Sequence, residues 1–251
     1  LISSIGDLKR KTIALLDQVF PEYASSFSYI FGKTSKEILS SFQSAANFED
    51  ISLDKLNDLL DRVSHKKFAD KKLKELSRKA SSSFAVNFCL DSFSLQIKMI
   101  IKQISFIQNQ VSDVEDEINL LLDKFDSPIT TITGIGSVNV ATILGEIGNI
   151  SRFSNPSKLV AYAGLDASVS QSGEYESTRN KMSKRGSPYL RRALFQSALI
   201  AEFNDPVFSA YYQKKMSEGK HHLVATNAVA RKLCHTIYAV LTKNEDYQVQ
   251  A

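Results

Sequence analysis

At 251 residues the chain has room for one or two domains and a sizeable buried core. Its composition, 43% hydrophobic and 23% charged, is that of a globular protein, with no apolar run approaching a membrane span and no basic-then-apolar leader at its start. Cys89 and Cys234 lie far apart with no paired spacing, which argues against a disulfide framework or a cysteine metal site and for buried thiols in a reducing compartment such as a cytoplasm. The net charge of +4 is unevenly placed: residues 1–149 hold 17 Lys+Arg against 19 Asp+Glu, and residues 150–251 hold 14 against 8. An anionic partner is therefore expected on the second half.

The first stretch reads as a helix. Leu1, Ile5, Leu8, Thr12, Leu15 and Val19 step by four and three, a heptad seam with one polar position, and Phe20-Pro21 stops it. A chain that begins in mid-seam, without Met, is expected to be a fragment. Residues 21–83 read as a small cap of short helices. Thr34-Ser35-Lys36-Glu37 has the form of a capping box before Ile38, Leu39 and Phe42. Ser52 is expected to cap a helix through Leu53–Val63, and a lysine-rich helix is expected through Leu73 and Leu76. The string Gly32-Lys33-Thr34-Ser35 is not a phosphate loop, because Phe27 stands where that motif needs glycine.

From about Phe84 to Lys124 the heptad pattern is unbroken. Phe93, Ile100, Ile107, Val114 and Leu121 form one row, and Ile97, Ile104, Val111 and Ile118 the other. A coiled-coil helix on the order of 60 Å is expected, with the first helix antiparallel to it and self-association through the seam. Asp113, Glu115, Asp116 and Glu117 are expected on its solvated face rather than around a metal. The fold class is therefore all-α: an antiparallel coiled-coil arm with a helical cap over residues 1–126, then a compact helical domain over 127–251.

Asp126-Ser127-Pro128 breaks the long helix. Thr131–Ala141 has the apolar–Gly–apolar–Gly turn of a helix-hairpin-helix, in which Gly134 and Gly136 let backbone N–H groups face a phosphate. Arg152-Phe153 and Asn155-Pro156-Ser157 read as a turn, followed by a short helix, Lys158–Gly164, that Gly164 ends. Ser170 to Arg192 then carries Ser172-Gly173 followed by Arg179, Lys181, Lys184, Arg185, Arg191 and Arg192, a cation run suited to a polyanion. Ser187-Pro188 is an N-cap with proline at the first helical position. Three helices follow, at about 187–203, 206–217 and 221–242. Tyr211, Tyr212, Lys214, Lys215, Lys220, His221 and His222 are candidates for a nucleic-acid backbone. His221 and His222 lack a third ligand at metal-site spacing.

In this order and spacing, Thr133–Gly136 (TGIG), Arg152-Phe153, Leu159–Leu165 (LVAYAGL), Gln171–Gly173 (QSG), Ser183–Leu194 (SKRGSPYLRRAL), Pro206–Tyr212 (PVFSAYY) and Ala228–Leu233 (AVARKL) resemble one family. It is the DEDD-type insertion-sequence transposases, which act as bridge-RNA-guided recombinases. The resemblance covers roughly residues 128–241, and the helical region before it resembles that family's middle domain. It implies that Ser172 is the nucleophile that becomes joined to DNA. It also implies that a resolvase-like N-terminal domain with four acids holds Mg²⁺, and that a guide RNA selects the DNA. No such domain is expected within these 251 residues, and no cofactor is expected in the chain itself. DNA, a guide RNA and a second copy of the chain are the expected partners, on the bacterial nucleoid. A helix-hairpin-helix binding module with a dimerising arm is the alternative from another class, and a purely structural helical protein is a third.

Overall fold

The computed structural model describes residues 1–49, 74–86, 88–166, 171–172, 175–176 and 182–249. The chain forms two compact units, Leu1–Val114 and Glu115–Ala251. As expected, it is built of helices; among the described residues the strands are one antiparallel pair, each two residues long.

In the first unit, helix α1 (Ile2–Val19) buries Ile5, Thr12, Leu16 and Val19. The polar seam position is resolved locally, the Thr12 hydroxyl donating to the Leu8 carbonyl at 3.0 Å. Helix α2 (Lys33–Ser41) begins two residues earlier than the capping-box reading requires, with Gly32 rather than Thr34 as its N-cap and no side-chain cap bond. Ser35 is committed elsewhere: it is buried, and its hydroxyl lies 2.8 Å from the Tyr23 hydroxyl. Burial pushes the Tyr23 phenol well above its usual range. Helix α3 (Ala45–Glu49) and helix α4 (residues 74–80) complete the cap. The helix expected after Ser52, and Leu73, lie outside the described residues.

The long helix α5 (Leu90–Phe125) spans 36 residues and is consistent with a coiled-coil arm. The Val86 N–H donates to the Gln18 carbonyl at 2.9 Å, so the chain approaches the start of α5 beside the end of α1. Ile97, Ile101 and Ile104 share a buried cluster with Ile5, Leu16 and Val19, while Val114 and Leu121, the last two of the heptad row, are exposed.

The second unit holds helices α6 (Ser137–Ile147), α7 (Pro156–Ala163), α8 (Pro188–Asn204), α9 (Pro206–Ser217) and α10 (His222–Lys243). Its core is built on small residues where helices meet: Ala193, Ala198 and Ala201 of α8, and Ala225 and Ala230 of α10. Small side chains let two backbones approach closely, and Leu190, Leu194, Val229, Leu233 and Ile237 fill the space between them. The C-terminal segment leaves α10 at Asn244, in the left-handed conformation, and folds back so that the Tyr247 N–H reaches the Thr131 hydroxyl at 2.8 Å. No helix among the described residues is long and apolar enough to cross a membrane.

Candidate functional site

The serine segment departs from and returns to a single anchored place. Helix α7 starts at Pro156, two residues before the expected Lys158, because the Asn155 side chain caps it by accepting from the Lys158 N–H and Pro156 suits its first position. It stops at Gly164, whose φ of +67° is open to glycine at little cost. From Ser183 onward the returning chain makes a run of backbone bonds onto this helix end. Ser183 N–H donates to the Asp166 carbonyl (2.9 Å), Lys184 N–H to the Gly164 carbonyl (3.2 Å) and Ser187 N–H to the Tyr162 carbonyl (2.7 Å).

Glycine is required on both sides of that seam. A Cβ at Gly186 would stand 1.9 Å from the Tyr162 carbonyl oxygen, and one at Gly164 would stand 2.9 Å from the Gly186 nitrogen. The Ser183 hydroxyl also donates to the Asp166 carboxylate, a side-chain clamp across the same base. Beyond the clamp, Gln171–Ser172 (β1) pairs antiparallel with Tyr175–Glu176 (β2), Ser172 opposite Tyr175. Ser172 therefore lies on a short ladder rather than in an irregular loop. Arg179 and Lys181 lie outside the described residues.

The remaining cations divide into two kinds. Lys184, Arg185 and Arg192 are exposed. Arg191 is half-buried, and its guanidinium donates to the Ala163 carbonyl at 3.1 Å, which satisfies one of the free carbonyls at the end of α7. Its position is that of a structural clasp, next to Gly164. The N-cap reading of Ser187 holds: its oxygen accepts from the Leu190 N–H at 3.1 Å. Its hydroxyl in turn donates to the Glu146 carboxylate at 2.7 Å, tying the start of α8 to α6.

The two glycines of the helix-hairpin-helix-like turn also separate. Gly134 has φ +94°, and a Cβ there would lie 2.7 Å from the Ala201 nitrogen and 2.9 Å from the Ser197 carbonyl oxygen. It faces inward, onto the backbone of α8, so close packing is what this glycine permits. Gly136 is exposed, caps α6 by its backbone, and has nothing within 4 Å of where a Cβ would be. Gly136 thus has the open approach that the phosphate reading needs. The turn meets α8 near its C-terminal half, whereas the cation cluster surrounds its beginning, so the two sets of residues are not gathered into one pocket.

Several residues at this site were not singled out from the sequence. Asp166 and Glu146 are recognisable only through Ser183 and Ser187, partners 17 and 41 positions away. Deeper in the unit, Glu202 of α8 is fully buried. One carboxylate oxygen accepts from the Thr226 hydroxyl at 3.3 Å, and the other has no hydrogen-bond partner among the described residues. Burial raises its pKa, against smaller lowering effects of the Thr226 bond and the His222 charge. His222 is itself held by the Tyr212 hydroxyl at 2.7 Å from Nδ1. Tyr212 is buried, while Tyr211 is half-buried beneath Lys215 and Lys232. Among the described residues no group of three or more His, Cys, Asp or Glu side chains is placed to hold a metal ion.

Comparison with known proteins bears on the segment that contains this site. Residues 126–213 match the model of the transposase IS116/IS110/IS902 family. The chain is 28% identical over 160 residues to the insertion element IS110 uncharacterized 43.6 kDa protein of Streptomyces coelicolor, covering 62% of this chain and 39% of that protein. It is 33% identical over 122 residues to the pilin gene-inverting protein of Moraxella bovis, covering 48% of this chain and 38% of that protein. Over 120 residues it is 32% identical to the insertion element IS900 uncharacterized 42 kDa protein of Mycobacterium paratuberculosis, 47% of this chain and 30% of the relative. The chain therefore spans well under half the length of these relatives.

Proposed function

We propose that this chain supplies the serine nucleophile and part of the nucleic-acid grip of a DNA transposase or recombinase. The observation that carries the reading is the clamp at Gly164–Asp166 and Ser183–Ser187. It holds the base of the Ser172 hairpin beside exposed Lys184 and Arg185, inside the segment that matches a transposase family. A relative named for inverting a pilin gene points to the same kind of DNA rearrangement.

Attack by the Ser172 oxygen on a DNA phosphorus forms a serine–phosphate ester as the bond from phosphorus to a deoxyribose oxygen breaks. The serine proton ends on the released deoxyribose oxygen, so the number of phosphate esters is unchanged. Cations near the phosphate lower the barrier by neutralising the oxygens that the incoming nucleophile must approach. The described residues offer no cluster fit to hold a metal, and no step here is assigned to one. In this reading Mg²⁺ belongs to a resolvase-like acidic domain, a guide RNA selects the DNA, and copies of the chain associate through the exposed end of the α5 seam.

The experiment combines the chain with a resolvase-like acidic domain in cis or in trans, guide RNA, Mg²⁺ and end-labelled DNA. A protein–DNA species that survives denaturation and disappears in Ser172→Ala is expected. Binding without any such species would instead support a non-enzymatic binding module.

A further inference from the structure

We propose that Tyr189, with Arg185 four positions before it and Arg192 three after it, is a stacking platform for an unpaired nucleobase. The inference rests on the nucleic-acid reading above and adds a residue and a ligand to it.

Tyr189 is the second residue of α8 and is 68% exposed. Among the described residues its ring makes no aromatic or cation contact and its hydroxyl no hydrogen bond, whereas Phe153, Tyr162, Phe208, Tyr211 and Tyr212 of this unit are engaged. Phe125 and Phe203 are as open to water, but neither has an arginine within four positions in the sequence. A ring open to water among basic side chains has a free face for a flat, anionic ligand.

Its backbone is held rigidly. Ser187 caps the helix, its N–H is bonded to Tyr162, and Gly186 is seated against the Tyr162 carbonyl. A ring carried by so well-fixed a turn loses little freedom when a ligand stacks on it. Arg192 lies three positions along α8, hence on the same face, and is exposed, as are Arg185 and Lys184 just before the helix. The one carboxylate of α8, Glu202, is buried, so no acid of this helix opposes a phosphate there. An exposed ring flanked by guanidinium groups fits a flat base with its backbone phosphate. The match is sequence-tolerant, because every base offers a π-face. Duplex DNA keeps its bases stacked on one another and offers no such face, so the platform selects single-stranded or locally opened nucleic acid.

The test uses the full chain with two fluorescent probes at fixed salt, a 20-nucleotide oligothymidylate and a 20-base-pair duplex of unrelated sequence. Tyr189→Leu is expected to weaken the single strand roughly 5- to 100-fold and the duplex less than about twofold. Tyr189→Phe should keep most of the single-strand affinity, since the ring and not the hydroxyl does the stacking. The salt slope on the single strand should be unaltered in Tyr189→Leu and fall by about 0.7 in Arg192→Ala. Equal loss on both probes, no loss on either, or Tyr189→Phe behaving like Tyr189→Leu overturns the platform while leaving the nucleic-acid reading intact. A wild-type chain that binds neither probe overturns both.

Discussion

Glu202 gives the sharpest test of the packing described for the second unit. It is a carboxylate with no solvent access, one weak hydroxyl donor and one oxygen without a partner among the described residues. Burial raises its folded pKa above the ordinary carboxylate value, so the folded state binds its proton more tightly than the unfolded chain does. The Glu202 contribution is therefore most favourable below the ordinary carboxylate pKa and is lost as pH rises through the raised folded value. Above that value the folded protein holds a charge with an incomplete set of partners. Leaving one buried acceptor unsatisfied costs roughly 1–3 kcal/mol. Glu202→Gln removes the charge and retains an oxygen for the Thr226 hydroxyl, while its amide N–H groups take the place of the partnerless oxygen, so what it relieves is the charge. It should stabilise the protein by about 1 kcal/mol at pH 7, the margin by which an incompletely partnered charge costs more than a neutral group, an increase in midpoint of a few degrees. The gain should vanish near pH 4, where the wild-type carboxyl is already neutral. Thermal melts followed by circular dichroism from pH 4 to 8 measure both arms. A Glu202→Gln protein that melts lower than wild type at pH 7 would refute the reasoning, because it would mean that His222, held near the carboxylate by Tyr212, compensates the charge in full.

Three further outcomes follow from named contacts. Gly186→Ala should destabilise the second unit by roughly 2 kcal/mol or more in chemical denaturation, because its methyl would lie against backbone that has nowhere to move. Arg191→Ala should lower stability through loss of its bond to Ala163, whereas Arg192→Ala should leave the melt unchanged and weaken DNA binding with a shallower salt dependence. Replacing exposed Val114 and Leu121 by Ser should abolish self-association in sedimentation velocity while leaving helical content intact; a wild-type chain that stays monomeric at high concentration would count against the seam as an interface.

What could be read from the sequence is what depends on near neighbours. The Ser187-Pro188 start of α8 and the Gly164 end of α7 rest on bonds spanning three to five residues, and both stand as expected. The α5 heptad was legible for the same reason, since its period is a property of one helix. Its burial was not: Ile101, outside both expected rows, is buried, and Val114 and Leu121, inside one, are exposed. The Thr34 capping box failed because the helix begins at Lys33 behind Gly32, which puts Thr34 inside the first turn, while Ser35 beside it is held by Tyr23, 12 positions away. Gly134 and Arg191 are alike in this respect. Glycine in a turn and arginine in a basic run suggest a ligand, yet the backbone of α8 fills the space beside the first and the end of α7 receives the second. Sequence supplied the residue types at the candidate site; only tertiary contacts divide those that hold the hairpin from those left open to a partner.

The central claim is that Ser172 becomes esterified to DNA, and mass spectrometry of the trapped species tests it most directly. Nuclease and trypsin digestion should leave a nucleotide remnant on the peptide from Leu159 to Arg179, which contains Ser168, Ser170, Ser172 and Ser177. Fragmentation is expected to place the added mass on Ser172 alone. A remnant on Ser168, Ser170 or Ser177, or an adduct that persists in Ser172→Ala, would contradict the account.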